Sequence, residues 1–266
     1  MKKDSVQKQW DTAVEPWVDF VRTRKDYFRD EMNNPAMLEL FGDIRGKRIL
    51  DLGCGEGDNS RIMARNGAKV TGVDFSKKMI DFAIQQEKNE GFGIDYYVLN
   101  ASNLHTFKDN AFDIVICFMA LQDIEDYQDA IKEAYRVLRK CGRFAFSIPH
   151  PCFEVRSIGD KVVGGWEYGK GTKYKSTGKA IYYKVDKYFD TRRDIVPWNM
   201  ERLTKHFKTT SFHRTLTDYA DALYNAGFMI SRLKEPMPTK RGLAKYPKLK
   251  LCLRIPHSIV IEAMKC

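Results

Sequence analysis

A glycine-rich segment, residues 51–57 with the sequence DLGCGEG, has the residue types and spacing of a ligand-binding loop. It follows the apolar residues Ile49 and Leu50 and precedes residues 58–60, which are typical of a helix start. Glycine has no Cβ atom, so such a loop can turn sharply at the end of a strand and let a ligand approach the backbone. A purely structural turn would use the same glycines, so the loop alone leaves both interpretations open.

A second feature supports the ligand-binding interpretation. Asp74 ends the next apolar run, 21 residues beyond Gly53, where a doubly wound sheet places a carboxylate that accepts a ribose hydroxyl. The G-x-G-x-G spacing is shorter than the dinucleotide-binding G-x-G-x-x-G. The acidic side chains of Asp51 and Glu56 favour a cationic ligand over a pyrophosphate.

The elements that must hold these residues can be predicted from periodicity. Between Lys47 and Ser147, short β-branched runs alternate with helical patterns, which is typical of βαβ units on a parallel sheet. A capping-box-like start at Thr215 and Gly227 as its stop predict a late helix. The predicted strands are residues 48–50, 69–73, 96–99, 114–117 and 143–147, followed by a sixth that starts at 228 and a seventh at 258–263.

Two segments lie outside this alternation. Residues 10–40 carry apolar side chains at helical spacing, and they predict either a lid over the ligand or a helix that packs on the side of the domain. Residues from Pro149 to about His213 are rich in aromatic side chains and lysine, and we expect an insertion over the strand ends. The predicted organisation is a helical lid (1–45), a ligand-binding core (46–148), a capping insertion (149–213) and the completion of the sheet (214–266).

In motif order, residues 47–147 resemble the class I S-adenosylmethionine-dependent methyltransferases. The loop at 51–57 resembles their first motif, residues 72–76 (GVDFS) the second strand with its carboxylate, and residues 112–122 the fourth strand with the following loop. Asn100 stands where the family usually has Asp, and its amide oxygen can still face the adenine amino group. The resemblance implies an α/β fold with a doubly wound, mainly parallel seven-stranded sheet.

The same resemblance implies an enzyme that binds S-adenosylmethionine and transfers its methyl group to an acceptor. It assigns ten residues to the cofactor site, and no metal. These residues are Asp51, Gly53, Cys54, Gly55, Asp74, Phe75, Asn100, Ala101, Phe118 and Met119.

Two histidines are candidates for a general base. His150 follows strand five and should lie at the carboxyl edge of the sheet, beside the acceptor. His213 precedes the late helix and is the second candidate. Each ring could instead orient a loop. Cys152 is expected to be an inert thiol, because the Pro-Cys nucleophile of cytosine C5 methyltransferases follows strand four, where this chain has residues 117–120 (CFMA).

The chemical class of the acceptor is left open by the insertion. Residues 149–208 contain 13 Lys or Arg against 7 Asp or Glu, and basic residues among aromatics could bind single-stranded nucleic acid or cap a small molecule. We expect a small-molecule acceptor methylated on oxygen or nitrogen, with RNA or a non-catalytic cofactor-binding role as alternatives. The aromatic residues in question are Trp166, Tyr168, Tyr174, Tyr182, Tyr183, Tyr188, Phe189 and Trp198.

Composition excludes some classes of protein. The formal charge is +10, and no run of about 18 apolar residues is long enough to cross a bilayer. The first 20 residues lack the apolar stretch of a secretory signal, so we expect a cytoplasmic protein with no membrane partner. Six scattered cysteines without a C-x-x-C pair speak against a zinc site or a disulfide framework. Oligomeric state is not predicted.

Overall fold

The computed structural model describes residues 5–158, 161–169 and 179–266. Twelve strands lie in these ranges, most of them short and separated by helices or turns. They are β1 (Arg48–Leu52), β2 (Lys69–Asp74), β3 (Asp95–Val98), β4 (Phe112–Phe118), β5 (Leu138–Pro149), β6 (Arg156–Ile158), β7 (Lys161–Tyr168), β8 (Ala180–Val185), β9 (Arg192–Trp198), β10 (Phe207–His213), β11 (Phe228–Lys234) and β12 (Ser258–Lys265).

Seven α-helices lie in the same ranges. They are α1 (Val6–Arg22), α2 (Asn34–Phe41), α3 (Asp58–Arg65), α4 (Lys77–Glu90), α5 (Tyr127–Val137), α6 (Leu216–Ala226) and α7 (Lys240–Lys245). As the sequence predicts, Thr215 and Asp218 form a capping box at the start of α6, and Gly227 ends that helix in a left-handed conformation. None of the helices in the described ranges is long and apolar enough to span a membrane.

The main sheet has seven strands in the order β3-β2-β1-β4-β5-β12-β11. Strands β1 to β5 pair in parallel, whereas β12 pairs antiparallel with both β5 and β11. The predicted doubly wound, mainly parallel seven-stranded sheet is therefore confirmed. Helices cover both faces of the sheet, and its central strands are accordingly rich in buried apolar residues, such as Ile114, Val115 and Ile116 of β4.

Two apolar clusters hold the helices on the sheet. One joins α5 and α6 to one face, with Val137, Leu223 and Phe144 among its buried side chains. The other joins α2 and α3 to the opposite face through residues such as Met37 and Met63. Because both faces are covered, the carboxyl ends of the parallel strands are the edge at which a doubly wound sheet binds its ligand.

The two segments outside the sheet meet above this edge. α1 packs against β10 and α4, and a π-helical turn, Arg29–Asn33, leads from the N-terminal segment into α2. The insertion after β5 forms two small antiparallel sheets, β6-β7-β8 and β9-β10, among the described residues. The division of the chain into four parts stays a proposal.

Candidate active site

A cavity of about 630 Å³ opens at the carboxyl ends of β1, β2 and β4, and its size lies within the range of small-molecule sites. The structure brings nine of the ten residues assigned to the cofactor together in its wall. They are Gly53, Cys54, Gly55, Asp74, Phe75, Asn100, Ala101, Phe118 and Met119. The tenth, Asp51, does not line the cavity and is buried at the end of β1.

The glycine-rich loop passes close to the turn after β4 in the wall of this cavity. Gly53 has φ +67°, in the left-handed region that favours glycine. A Cβ atom on Gly53 would lie 2.7 Å from the Cβ atom of Ala120, which follows β4. The loop can therefore pass close to the turn after β4 only where a side chain is missing. α3 then begins at Asp58, so the loop leads into a helix as the sequence predicts.

Asp74 is fixed by backbone donors on both sides. Its Oδ2 accepts the N–H of Gly55 at 3.0 Å, and its Oδ1 accepts the N–H of Ser76 at 2.8 Å. Burial raises the pKa of Asp74 to about 6. The carboxyl group is thus held at the end of β2, in the cavity wall, with lone pairs left for a ligand hydroxyl.

Asp51 provides a second buried carboxyl group behind the loop. Its Oδ2 accepts the hydroxyl of Ser60 at 2.6 Å, while its Oδ1 has no hydrogen-bond partner among the described residues. Burial raises the pKa of Asp51 to about 7. An unpaired buried oxygen of this kind is costly, and it fits a cationic ligand held close to the loop.

Asn100 lies in the turn after β3, on the same side of the cavity. Its Oδ1 accepts the backbone N–H of Ser102 at 3.1 Å, which holds the amide in place. A carbonyl oxygen has two lone pairs, so one is left for an adenine amino group. Asn100 therefore still provides a hydrogen-bond acceptor where the family usually has Asp.

Three tryptophans form the opposite wall, and we call Trp10, Trp17 and Trp198 the tryptophan cluster. The rings of Trp10 and Trp17, both on α1, are 5.5 Å apart, and the ring of Trp198 on β9 lies 5.3 Å from Trp17. All three line the cavity. The cluster joins the N-terminal helix to the insertion and gives the cavity an aromatic wall.

Ion pairs tie the N-terminal segment to the glycine-rich loop. Arg22 Nε lies 2.9 Å from Glu56 Oε2, and Arg24 forms a two-pronged pair with Asp58 at 2.9 and 3.1 Å. Gln7 Nε2 donates to the carbonyl of Phe75 at 2.8 Å. These contacts favour the lid interpretation of the helix over the alternative of a helix packed only on the side of the domain.

The turn after β4 places two polar side chains in the cavity wall. Gln122 Nε2 donates to the carbonyl of Met119 at 2.6 Å. Burial raises the pKa of Asp123 to about 8, against the opposing effects of the Ser211 hydroxyl and the Arg214 guanidinium. The guanidinium of Arg214 also donates to the carbonyls of Leu121 and Ile124, at 3.1 and 2.6 Å, and so holds the turn.

Carboxyl groups outnumber guanidinium groups in the wall of the cavity. Seven carboxyl side chains and three guanidinium groups line it among the described residues, although the whole chain carries +10. The acids are Glu56, Asp58 and Asp74 near the loop, Asp26 beside Arg29 and Arg202, and Asp123, Glu125 and Asp126 in the turn after β4. The wall therefore favours cationic ligands over anionic ones.

Comparisons with known proteins agree with this geometry. The family model described as "Methyltransferase domain" matches residues 50–146, the part that contains the loop, β2 and the turn after β4. An S-adenosylmethionine-dependent methyltransferase from Mesorhizobium loti has a similar structure, with a TM-score of 0.68 and 26% identity over 87% of this chain and 96% of that one. Residues 50–146 thus match a methyltransferase domain, and together with this structural neighbour they support a class I S-adenosylmethionine-dependent methyltransferase.

Two relatives show how far the similarity in sequence extends. An uncharacterised protein of Haemophilus influenzae is 28% identical over 210 residues, which is 77% of this chain and 76% of that protein. The ubiquinone biosynthesis O-methyltransferase of Bordetella avium is 32% identical over 118 residues, which is 43% of this chain and 49% of that enzyme. The match to that named enzyme thus spans about half of its length.

Neither histidine proposed as a base lines the cavity of this methyltransferase. His150 is buried, its Nε2 lies 3.2 Å from Glu235 Oε1, and its Nδ1 accepts the N–H of Cys152 at 3.2 Å. His213 is bound between Glu154, at 2.6 Å, and the carbonyl of Tyr188, at 2.8 Å. The geometry gives these rings no direct access to an acceptor in the cavity, and their catalytic roles stay predictions.

His257, which the sequence analysis did not single out, is the histidine that lines the cavity. Its ring stacks on Phe28 with centroids 4.1 Å apart, and burial lowers its pKa to about 4. It comes directly before β12, whose first residue, Ser258, pairs with Pro149 at the end of β5. An antiparallel last strand starts at the edge where its parallel neighbours end. The position of His257 just before such a strand could therefore have pointed to the cavity.

The aromatic residues of the insertion are divided between the site and the surface. Among those in the described ranges, Trp198 alone lines the cavity. Trp166 packs against Tyr183 and under Arg254, and Phe189 is 85% exposed. Tyr174 lies outside the described residues. Cys152 is partly buried and does not line the main cavity, and the described residues contain no cluster of three metal-binding side chains.

Proposed function

We propose that this methyltransferase transfers the methyl group of S-adenosylmethionine to an oxygen or nitrogen of a small-molecule acceptor. The observation that carries the proposal is a single cavity lined by the assigned cofactor residues on one side and by the tryptophan cluster on the other. Apolar and aromatic walls with a few placed polar groups are typical of small-molecule sites. An extended strand of RNA would need an open basic groove instead.

The chain's own residues fit the proposed cofactor. The Asp74 carboxyl group would accept ribose hydroxyls, and Asn100 and Ala101 would hold the adenine edge. The unpaired oxygen of Asp51 lies behind the loop that would hold the amino acid part. When bound, the cofactor supplies a methyl group on a positively charged sulfur. The loop and the turn after β4 would orient it toward the tryptophan cluster.

The protein's contribution to the transfer is mainly alignment and exclusion of water. Holding the acceptor in line with the methyl carbon can be worth about 7–11 kcal/mol in favourable intramolecular cases. The lid contacts of Arg22 and Arg24 hold the two walls of the cavity together. A base is needed only where the acceptor must lose a proton.

Some of the basic residues that suggested RNA binding form contacts within the protein. Arg241 pairs with Glu31 at 2.8 Å, and Arg254 donates to the carbonyls of Ala180 and Ile181 at 2.9 and 2.8 Å. The cavity wall itself is acidic. Both facts support a small molecule over a polyanion.

Two measurements test the proposal. S-adenosylhomocysteine should bind in calorimetry, and labelled S-adenosylmethionine should pass its methyl group into the small-molecule fraction of a cell extract. RNA binding should be weak and should fall steeply with added salt. Methyl incorporation into RNA with sub-micromolar affinity at physiological salt would replace the proposal by the RNA alternative. Absence of transfer with intact cofactor binding would favour the non-catalytic alternative.

A further inference from the structure

Two buried amide oxygens in the cavity wall have no hydrogen-bond donor among the described residues. Gln122 Oε1 and Asn34 Oδ1 are buried without a hydrogen-bond partner among the described residues, and each of these residues is only 7% exposed. Both line the cavity. For Gln122 the amide orientation is fixed, because a flip would set its oxygen against the carbonyl of Met119. A ligand that presents N–H or O–H groups would satisfy these oxygens.

Asp123 adds a carboxyl group next to Gln122. It lies on the acceptor side, because the turn that carries it packs against β10 of the insertion. Arg214, which faces Asp123, directs both terminal nitrogens to the backbone carbonyls of the turn. The turn is therefore braced while the carboxyl group stays in the cavity wall.

The three arginines in the wall all contact other parts of the protein, and Arg193 donates from Nη2 to Thr210 Oγ1 at 3.2 Å. Arg29 pairs with Asp58 at 3.0 Å and donates to Asn59 at 2.7 Å. Arg202 donates to the carbonyl of Lys25 and stacks 4.1 Å from the ring of Tyr27. These guanidinium groups offset part of the negative charge, and three of the wall's seven carboxyl groups, those of Asp123, Glu125 and Asp126, lie in the turn after β4.

We propose, building on the proposed function, that the acceptor is a small amine on an apolar, planar body, whose N–H groups are received by Gln122 Oε1 and the Asp123 carboxylate. A hydroxyl offers one donor, whereas an amine offers two or three for the unpaired oxygens. The tryptophan cluster would hold the apolar body and attract the positive charge of an ammonium group. The acidic wall disfavours a carboxylate-bearing acceptor.

Methyl transfer to such an acceptor requires a free lone pair on its nitrogen. The bound ammonium group gives one proton to the Asp123 carboxylate, which frees the nitrogen lone pair. The nitrogen then forms a bond to the methyl carbon while the carbon–sulfur bond breaks, and that electron pair stays on the sulfur, which becomes a neutral thioether. The positive charge moves from sulfur to nitrogen.

The titration of Asp123 supports this role. Burial raises the pKa of its carboxyl group to about 8, and an ammonium group bound beside it would lower that pKa and stabilise the carboxylate, which can then take up the proton during transfer. The groups that face it are the Ser211 hydroxyl from β10, the Arg214 guanidinium after β10 and the Cys117 thiol from β4. Of these, Arg214 is the one charged partner at neutral pH.

The test uses three probes of similar shape: 2-phenylethylamine, 2-phenylethanol and 3-phenylpropanoate. Each is titrated at neutral pH into the full-length protein saturated with S-adenosylhomocysteine. Binding is followed by tryptophan fluorescence, because Trp10, Trp17 and Trp198 line the cavity. We expect the amine to bind at least about tenfold more tightly than the other two, since hydrogen bonds to a charged group are the stronger kind.

Two variants locate the preference. Asp123→Asn should bring the amine to within about threefold of the alcohol while leaving S-adenosylhomocysteine affinity unchanged, because the shape is kept and the charge is lost. Asp129→Asn, an exposed acid on α5, is the matched control and should change neither. In methyl transfer to the amine, Asp123→Asn should lower turnover by about 10²–10⁴-fold.

The outcomes separate the two proposals. Failure of S-adenosylhomocysteine to bind the unmodified protein would overturn the proposed function itself. Binding of S-adenosylhomocysteine with equal or tighter binding of the alcohol or the carboxylate would overturn the amine proposal alone. A preference for the amine that survives Asp123→Asn would also overturn it, because the carboxylate would then not be the recognising group.

Discussion

The two sides of the cavity are built in different ways. The proposed cofactor side consists of four short segments at the carboxyl ends of β1 to β4, and its key contacts join neighbours such as Asp74, Gly55 and Ser76. The acceptor side combines α1, the turn after β4, two insertion strands and the residue before β12. Trp10 and Trp198, for example, meet with ring centroids 6.4 Å apart although 188 positions separate them in the chain.

The difference reflects what each side must recognise. The cofactor side uses backbone geometry, which constrains residue type strongly, so glycine and a strand-end carboxylate recur at fixed spacing. The proposed acceptor side uses side chains on the N-terminal helix and on the strands after β5, where many residue types can form a wall. Substitutions should therefore separate the two sides by which binding event they change.

The largest expected effect is at the loop. Gly53→Val should abolish measurable S-adenosylhomocysteine binding, because its Cβ would lie 2.7 Å from Ala120 Cβ and the branched side chain would enter the cavity. Gly91→Val is the matched control, since Gly91 has the same φ of +67° with open space around it. Calorimetry checks both variants. If Gly53→Val bound S-adenosylhomocysteine as tightly as Gly91→Val, close approach of the loop to the ligand would not be the reason for glycine at position 53.

The second-largest expected effect is at Asp74, whose carboxyl group is proposed to bind the ribose. Asp74→Ala should weaken S-adenosylhomocysteine binding by about 1.5–3 kcal/mol, the range for a hydrogen bond to a charged group, which is roughly a ten- to 150-fold rise in Kd. Asp81→Ala, an exposed residue on α4 that pairs with Lys77, should leave Kd unchanged. Unchanged affinity in a folded Asp74→Ala protein would remove Asp74 from the cofactor site.

His150 tests whether a residue outside the cavity takes part in catalysis. A base at this position predicts a loss in turnover of about 10²–10⁴-fold and the loss of a titration below the ordinary histidine range, because burial lowers the pKa of His150. The contacts of the ring with Glu235 and Cys152 lead us to expect a smaller loss, below about tenfold, with an unchanged pH profile. His105→Ala, at an exposed site, is the control. A loss in the larger range would restore His150 as the base, and His213→Ala would be compared with it in the same assay.

The smallest expected effect is on stability without cofactor. Asp51 has a pKa of about 7 in the folded protein against 3.8 ordinarily, so folding favours its protonated form. Its contribution to the free energy of unfolding is therefore most favourable at low pH. It decreases as pH rises through about 4–7, and the cost of the buried charge is fully present above that range.

Asp51→Asn should reduce this dependence, because the amide keeps an oxygen for the Ser60 hydroxyl without the charge. We expect Tm to differ between the two proteins by a few degrees more at pH 8 than at pH 5, since about 1 kcal/mol moves Tm by about 2–4 °C at this size. Differential scanning fluorimetry measures it, with Asp81→Asn as the control. If Tm changed with pH in the same way in Asp51→Asn and in the unmodified protein, the ionisation of Asp51 would not contribute to the pH dependence of stability.

Much of the fold could be predicted because local patterns and global packing agree. The five apolar runs between 48 and 147 became the parallel strands, and the late helix and last two strands followed their capping and hydrophobic signals. The insertion was harder, because its short aromatic strands have no regular alternation. It forms two small sheets, and Trp198 is the one member of its predicted aromatic set among the described residues that reaches the cavity.

The sequence by itself determined the cofactor side of this protein. A turn that tolerates no side chain and a carboxylate at a strand end are local requirements, so residues 51–57 and Asp74 are visible in a single chain. Only the tertiary structure decided the acceptor side. The antiparallel pairing of β12 with β5 brings His257 to the cavity, while the ring of His150 is turned toward Glu235. Which side chains face a cavity depends on how distant segments pack, and no local pattern along the chain specifies that packing.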